Sequence, residues 1–289
     1  MDYRGLLRRA EDELRAAGID DWRHDAWALM EHALGIDRLG YLLDGGSTVA
    51  ADGENEYQRL VGLRCSHVPL QHITGSAWFY GREFAVTPNV LIPRQDTEVL
   101  VGEALSRLEG GSVLDLCTGS GCIVLSLLLE KNGLNGVGTD ISGAALEVAR
   151  RNGERLGVDC NASGEACTVD FRQGDLYGAL GEGETFDMVV SNPPYIPTGD
   201  IEGLDPEVRL HDPMLALDGH EDGLYFYRRI IDGCEGHLKR GGWLVLEIGM
   251  DQGAAVASMM EQKGFGDVLV RKDLAGLDRV VLGRLRPHC

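Results

Sequence analysis

At roughly 100–200 residues per domain, 289 residues allow two domains or one large one, and a 44% hydrophobic content is that of an ordinary globular protein. The 46 acidic against 27 basic residues give a formal net charge of −19, so a polyanion such as duplex DNA would meet long-range repulsion and a basic partner suits the surface better. A charged Met1-to-Ala17 stretch without an apolar h-region, no run of about 18 apolar residues, and seven cysteines with neither a C-x-x-C pair nor zinc spacing point away from a signal peptide, a membrane span and a metal site.

Residues 1 to about 75 read as helical. Leu6, Leu7, Ala10, Leu14 and Ala17 recur at helical spacing and Gly18 stops them. Asp20 or Asp21 is placed to cap a second helix carrying Trp22, Ala26, Leu29, Met30 and Ala33. Residues 56–65, with Leu60, Val61 and Leu63, form a third segment. A small bundle of this kind suits docking and carries no chemistry of its own. From Ala77 to Ile92 the pattern changes. Trp78, Phe79, Phe84, Val86, Val90 and Leu91 sit among Gly81, Pro88 and Asn89, as in short strands or a hairpin.

Beyond Asp96, strands and helices alternate. Strands are expected at 112–117, 136–140, 168–172, 186–191 and 243–248, and helices at 122–130, 142–156 and 224–238. This alternation predicts a parallel sheet covered by helices on both faces. Residues 268–270 and 279–282 read as an antiparallel hairpin closing one edge, and 157–167, polar and rich in small residues, as a surface loop.

Val113-Leu114-Asp115-Leu116-Cys117-Thr118-Gly119-Ser120-Gly121 is an apolar strand entering a tight Gly turn and then a helix. Glycines let the backbone turn sharply and approach a ligand, and the helix start offers free N–H groups. Such a turn can cradle a nucleotide or a methionine carboxylate. Asp140, about 20 residues on at the next strand's end, is placed either to hold ribose hydroxyls or to cap the helix after Ile141. Asp175 in Gln173-Gly174-Asp175-Leu176 is either an acceptor for an adenine amino group, with Leu176 against the ring, or a surface-turn acid.

The step from the fourth strand into Asn192-Pro193-Pro194-Tyr195 is the sharpest feature. Two prolines fix an extended backbone and remove two N–H donors, leaving carbonyls free to accept. The Asn192 side chain adds an acceptor and Tyr195 a flat apolar face. An –NH2 group can donate one hydrogen bond to Asn192 and one to a proline carbonyl. That orients a poorly nucleophilic amide nitrogen without a strong base. The alternative is a proline-rich turn after a strand.

Further motifs are Pro69-Leu70-Gln71-His72-Ile73-Thr74-Gly75, Leu91-Ile92-Pro93-Arg94-Gln95-Asp96-Thr97-Glu98, Leu215-Ala216-Leu217-Asp218-Gly219 and Leu246-Glu247-Ile248-Gly249. With them the chain resembles the class I S-adenosylmethionine-dependent methyltransferases, most closely the peptide-chain-release-factor glutamine N5-methyltransferases, over nearly its whole length. Asn-Pro-Pro-Tyr alone is shared with adenine-N6 and cytosine-N4 methylases. The Ile-Pro-Arg stretch with a helical N-terminal domain is more particular.

The resemblance implies an α/β fold: a helical bundle over residues 1–75 for substrate docking, a hairpin linker over 76–95, and a seven-stranded Rossmann-like methyltransferase domain over 96–289. It implies S-adenosyl-L-methionine as cofactor, S-adenosyl-L-homocysteine as product, and the glutamine of Gly-Gly-Gln in class I release factors as substrate. A cytoplasmic monomer is expected, with no membrane or nucleic-acid partner. By position, Cys117, Thr118, Gly119, Ser120, Gly121, Asp140, Asp175, Leu176 and Asn192 would contact the cofactor. Asn192, Pro193, Pro194 and Tyr195 would grip the glutamine and carry catalysis. Arg94, Asp96, Thr97 and Glu98 would lie near the site or form structural salt bridges.

Three positions depart from the family pattern. Cys117 replaces the first glycine of the turn, which is sterically plausible if its φ stays negative, and packing rather than chemistry is expected of its thiol. Gln95 replaces a proline. Leu176 stands where an aromatic is common. The acidic stretch 197–222 reads as a lid facing basic release-factor surfaces, or as a solvated charged loop. Glu247 is either a second acid near Asn192 or a structural residue. Rival readings are glutamine methylation of a ribosomal protein, adenine-N6 methylation of nucleic acid by base flipping, an NAD-dependent oxidoreductase, which leaves Asn192 to Tyr195 unexplained, and a non-catalytic binder.

Overall fold

In the computed structural model, which describes residues 1–160 and 168–286, the chain divides into two units. One comprises Met1–Ser76 with Asp205–His211, the other Ala77–Leu204 with Asp212–Cys289. Of the loop expected over 157–167, residues 161–167 lie outside the described residues.

The first unit holds α1 (Tyr3–Ala16), α2 (Trp22–Leu34), α3 (Arg38–Asp44), α4 (Ala51–Cys65) and α5 (Leu70–Thr74). Leu6, Ala10 and Leu14 form the buried stripe of α1, and Asp2 caps the helix by accepting from Gly5 N at 2.7 Å. Asp21 occupies the N-cap of α2, but its side chain makes no capping hydrogen bond, a correction to the expected role. Two helices escaped the periodicity reading. Helix α3 buries no residue and α5 buries only Leu70, so neither carries an apolar stripe.

The second unit begins at Ala77, inside β1 (Ser76–Phe79), which forms a two-stranded sheet with β2 (Arg82–Ala85) through Tyr80 and Gly81, both at positive φ. A 3-10 turn, Gln95–Thr97, leads into α6 (Glu98–Leu105). Then follow β3 (Gly111–Leu116), α7 (Cys122–Glu130), β4 (Leu134–Asp140), α8 (Gly143–Leu156), β5 (Thr168–Gln173) and β6 (Phe186–Ser191). Next come α9 (Pro206–His211), α10 (Met214–Leu217), α11 (Tyr225–Gly233), β7 (Leu238–Glu247), α12 (Gly253–Gln262), β8 (Phe265–Lys272) and β9 (Asp278–Leu285). Helix α9 belongs to the first unit, where Glu207 accepts from the buried Arg64, itself paired with Asp25 at 2.7 Å.

Seven strands form one sheet in the order β5-β4-β3-β6-β7-β9-β8. All neighbours are parallel up to β7, and β9 and β8 join antiparallel at one edge. Successive side chains of a strand alternate between faces, and both faces here are apolar. Val113, Met188, Val190 and Val245 pack under α6, α7 and α8, while Leu114, Leu116, Val189, Leu244 and Leu246 pack under α11 and α12. This explains why the central strands read as unbroken apolar runs.

Two expectations are corrected. Helix α11 stops at Gly233, a 3-10 turn covers Cys234–Gly236, and Leu238, placed on the helical stripe, instead starts β7. The stretch 197–222 is not a plain loop: it holds the 3-10 turn Thr198–Gly203, α9 and α10.

Candidate active site

The sheet order reverses beside β3, and the carboxyl ends of β3, β4, β5 and β6 open there onto one cavity. The turn after β3 is tight because Cys117, Gly119 and Gly121 all take positive φ, at 57°, 55° and 77°. The condition under which a cysteine is unstrained at this position, a negative φ, is therefore not met. A side chain in this region costs about 1–2 kcal/mol, offset here by packing against the Leu114–Leu116 face of the sheet. Burial and the carboxylates of Asp140 and Asp115 hold the Cys117 thiol far above its ordinary range. Gly121 has a different constraint: a Cβ there would lie 3.1–3.2 Å from Leu125, Ala149 and Phe171.

Asp115, fully buried in β3, braces the turn from below. Its Oδ2 accepts from Thr118 Oγ1 at 2.6 Å and from Val124 N at 3.4 Å, while Oδ1 has no partner among the described residues. Burial pushes this carboxyl up to about 7. Asp140 ends β4 and accepts from Gly119 N and Ser142 N, both at 2.9 Å. It therefore links the Gly turn to the next helix, whose cap is Ser142. Desolvation raises its pKa as well. Asp175, after β5, is gripped by Arg229 through two hydrogen bonds of 3.0 and 2.8 Å. Leu176 follows at φ 51°, nearly buried in the cavity wall.

Beyond β6, the Nδ2 of Asn192 lies 3.4 Å from Thr97 Oγ1. The Tyr195 carbonyl accepts from Gln252 Nε2 at 2.9 Å, and Gln252 Oε1 accepts from Gly249 N at 2.9 Å and from Tyr227 Oη at 3.2 Å. Gly219 and Gly223 press on the Tyr195 backbone so closely that a Cβ at either would lie under 3.0 Å from it. Burial raises the Tyr195 phenol to about 12.

The cavity wall thus unites Cys117, Thr118, Gly119, Ser120, Asp140, Asp175, Leu176, Asn192 and Pro194. Gly121, Pro193 and Tyr195 stand behind it rather than in it. Arg94 and Thr97 reach the wall, and Arg94 also pairs with the buried Asp212 at 2.8 Å. Asp96 and Glu98 do not line it: Asp96 lies 3.5 Å from Arg279, and Glu98 accepts from Tyr80 N. Several acids of 197–222 are held within the protein. Glu207 pairs with Arg64, Asp212 with Arg94 and Asp222 with Arg228, while Asp218 accepts from Thr198 Oγ1 and His220 N. Pro213, Leu215 and Ala216 of this stretch contribute to the wall. Wall residues that the sequence reading missed include Ile123, Ile141, which is 55% exposed, and Phe226. The isoleucines sit beside marked motifs, but Phe226 lies on a helix with no such signal.

A mixed seven-stranded sheet with an antiparallel edge and a cavity at its switch point defines a Rossmann-like methyltransferase fold. Residues 5–75 match the family model described as PrmC N-terminal domain, and residues 95–203 the methyltransferase small domain. The release factor glutamine methyltransferase of Geobacter sulfurreducens is 41% identical over 98% of this chain and 96% of its own. That of Cereibacter sphaeroides is 41% identical over 96% of this chain and 97% of its own. A crystal structure of a methyltransferase from Pyrococcus furiosus shares the fold, with a TM-score of 0.52 and 19% identity over 72% of this chain and 91% of that one. The chain belongs to the release factor glutamine methyltransferase family, and it is an enzyme.

Proposed function

We propose that the protein transfers a methyl group from S-adenosyl-L-methionine to N5 of the glutamine in the Gly-Gly-Gln motif of class I release factors, in the cytoplasm. One observation carries the reading: a single cavity is walled both by the Gly turn with Asp140 and by Asn192 with Pro194. The relatives named as release factor glutamine methyltransferases support the choice of substrate.

The wall fits the cofactor chemically. Asp140 keeps acceptor capacity for hydroxyl pairs beyond its two backbone bonds. Ile141, Leu176 and Phe226 offer apolar surface for a flat ring, and the buried Thr139 hydroxyl in the wall has no partner among the described residues. Gly119 leaves the turn open, since nothing lies within 4 Å of where its Cβ would be. When bound, the cofactor supplies an electrophilic methyl group on a sulfonium sulfur.

The protein's own part is orientation. The substrate amide donates one N–H to Asn192 Oδ1 and the other to a proline carbonyl of the motif, with Tyr195 holding the backbone of that motif in place. Positive charge that builds on the nitrogen as its new C–N bond forms strengthens both hydrogen bonds. The proton then leaves to solvent without a strong base. Alignment of this kind supplies up to about 7–11 kcal/mol in favourable cases.

The test is transfer of labelled methyl from S-adenosylmethionine to a purified class I release factor and to the same factor with its tripeptide glutamine changed to alanine. Label on the unchanged factor alone is expected. Equal label on both, or none on either, would overturn the assignment.

A further inference from the structure

Glu247 ends β7 at 2% exposure, a buried acid that the transfer described above does not use. The pairing of Ser191 with Leu246 places Asn192 beside it, the polar side chains of Thr97 and Asn192 favour its charged form, and its Oε2 has no partner among the described residues. Thr97 is equally buried, and its Oγ1 also accepts from Asn192 Nδ2 at 3.4 Å. Three side chains from three separate segments thus meet in one polar cluster, with Asn192 at its cavity end.

We propose that Glu247 is a positioning residue: it sets the direction of the Asn192–Thr97–Glu247 hydrogen-bond chain, so that Asn192 turns Oδ1 rather than Nδ2 toward the substrate amide. The proposal rests on the functional reading above. A threonine hydroxyl has a single hydrogen to donate. When Thr97 gives it to Glu247, only lone pairs remain to face Asn192. Asn192 must then present Nδ2 inward, and its rigid amide sends Oδ1 outward. Without an acceptor at position 247, Thr97 would be free to donate to Asn192 Oδ1. A flipped Asn192 would set its own –NH2 against the –NH2 of the substrate, donor against donor.

Burial pushes Glu247 up to about 7. A proton on the partnerless Oε2 leaves the other oxygen accepting, so the chain runs the same way in both protonation states. Glutamine offers the same acceptor and a neutral group at the Oε2 position. Methionine fills similar space and accepts nothing of comparable strength.

The test compares Glu247→Gln and Glu247→Met. Glu247→Gln is expected to keep kcat within about threefold of wild type, whereas Glu247→Met loses at least about tenfold in kcat with S-adenosylhomocysteine affinity and release-factor KM within about threefold. In nuclear magnetic resonance spectra, the Asn192 side-chain amide protons are expected to exchange slowly in wild type and Glu247→Gln, and faster in Glu247→Met. A Glu247→Met enzyme with wild-type kcat and unchanged Asn192 exchange overturns the proposal. So does a kcat loss that follows an equal loss of S-adenosylhomocysteine affinity in both variants. If Glu247→Met does not fold, Thr97→Val is expected to show the same selective kcat loss and Thr97→Ser to restore it; wild-type kcat in Thr97→Val overturns the proposal. A wild-type protein that labels no release factor defeats the functional reading, and the Asn192 exchange rates still decide the direction of the chain.

Discussion

Asp115→Asn should change how stability depends on pH. The native carboxyl is pushed from its ordinary value near 3.8 up to about 7, chiefly by complete burial and with the Asp140 charge adding to it. Between those values the native protein holds a proton that the unfolded chain has released. Its contribution to stability is therefore full below pH 3.8 and is lost as the pH rises toward about 7. From pH 5 to 8 the change spans about two units, or about 3 kcal/mol. Asparagine reproduces the neutral acid: its carbonyl can accept from Thr118 and Val124, and its –NH2 falls at the partnerless Oδ1 position. If the two proteins are equally stable below pH 3.8, the variant should be more stable by about 2 kcal/mol at pH 5 and by about 4 kcal/mol at pH 8. Glu247, also raised to about 7, titrates in both proteins and cancels in the difference. Urea denaturation across this range, analysed by linear extrapolation, measures the gap. Parallel stability curves, or a variant weaker by the same amount at every pH, would show that Asp115 is already a carboxylate at pH 5 and would refute the reasoning.

Asn192→Ala should cut kcat by about 100-fold or more, the usual cost of removing one group that meets transition-state charge, with S-adenosylhomocysteine binding measured by calorimetry little changed. Phe226→Ala removes aromatic surface from the cavity wall and should weaken S-adenosylhomocysteine binding about tenfold, for a loss of about 1–2 kcal/mol; unchanged affinity would remove Phe226 from the cofactor site. Gly121→Ala forces a Cβ against Leu125, Ala149 and Phe171 at φ 77°. Strain and overpacking together should cost about 2–4 kcal/mol, read as a fall of roughly 5–15 °C in the melting midpoint.

What could be read from the chain depended on how local each signal was. Strands β3 to β6 were legible nearly to the residue, because the apolar runs of β3 and β6 and the alternation of β5, bounded by turn residues, need no distant partner to be recognised. The Gly turn and Asn192 to Tyr195 were legible because a backbone conformation forces their composition. Cys117 shows the limit of that inference: the turn demands a positive φ at its first position whatever residue fills it, and surrounding contacts hold a cysteine there. The misread end of α11 is a conflict between two local patterns. Leu238 continues the helical stripe, yet it pairs with Phe186 as the first residue of β7, and long-range pairing wins. The supports of the site were not legible at all. Asn192 meets Thr97 across 95 residues, Arg94 meets Asp212 across 118, and Gln252 holds the Tyr195 carbonyl from 57 residues away. No composition or spacing marks such pairs, because the fold creates them: β6 and β7 lie side by side, so Asn192 just beyond one comes to stand beside Glu247 at the end of the other. The motif names the groups proposed to meet a substrate, and the topology decides which buried acid stands beside them.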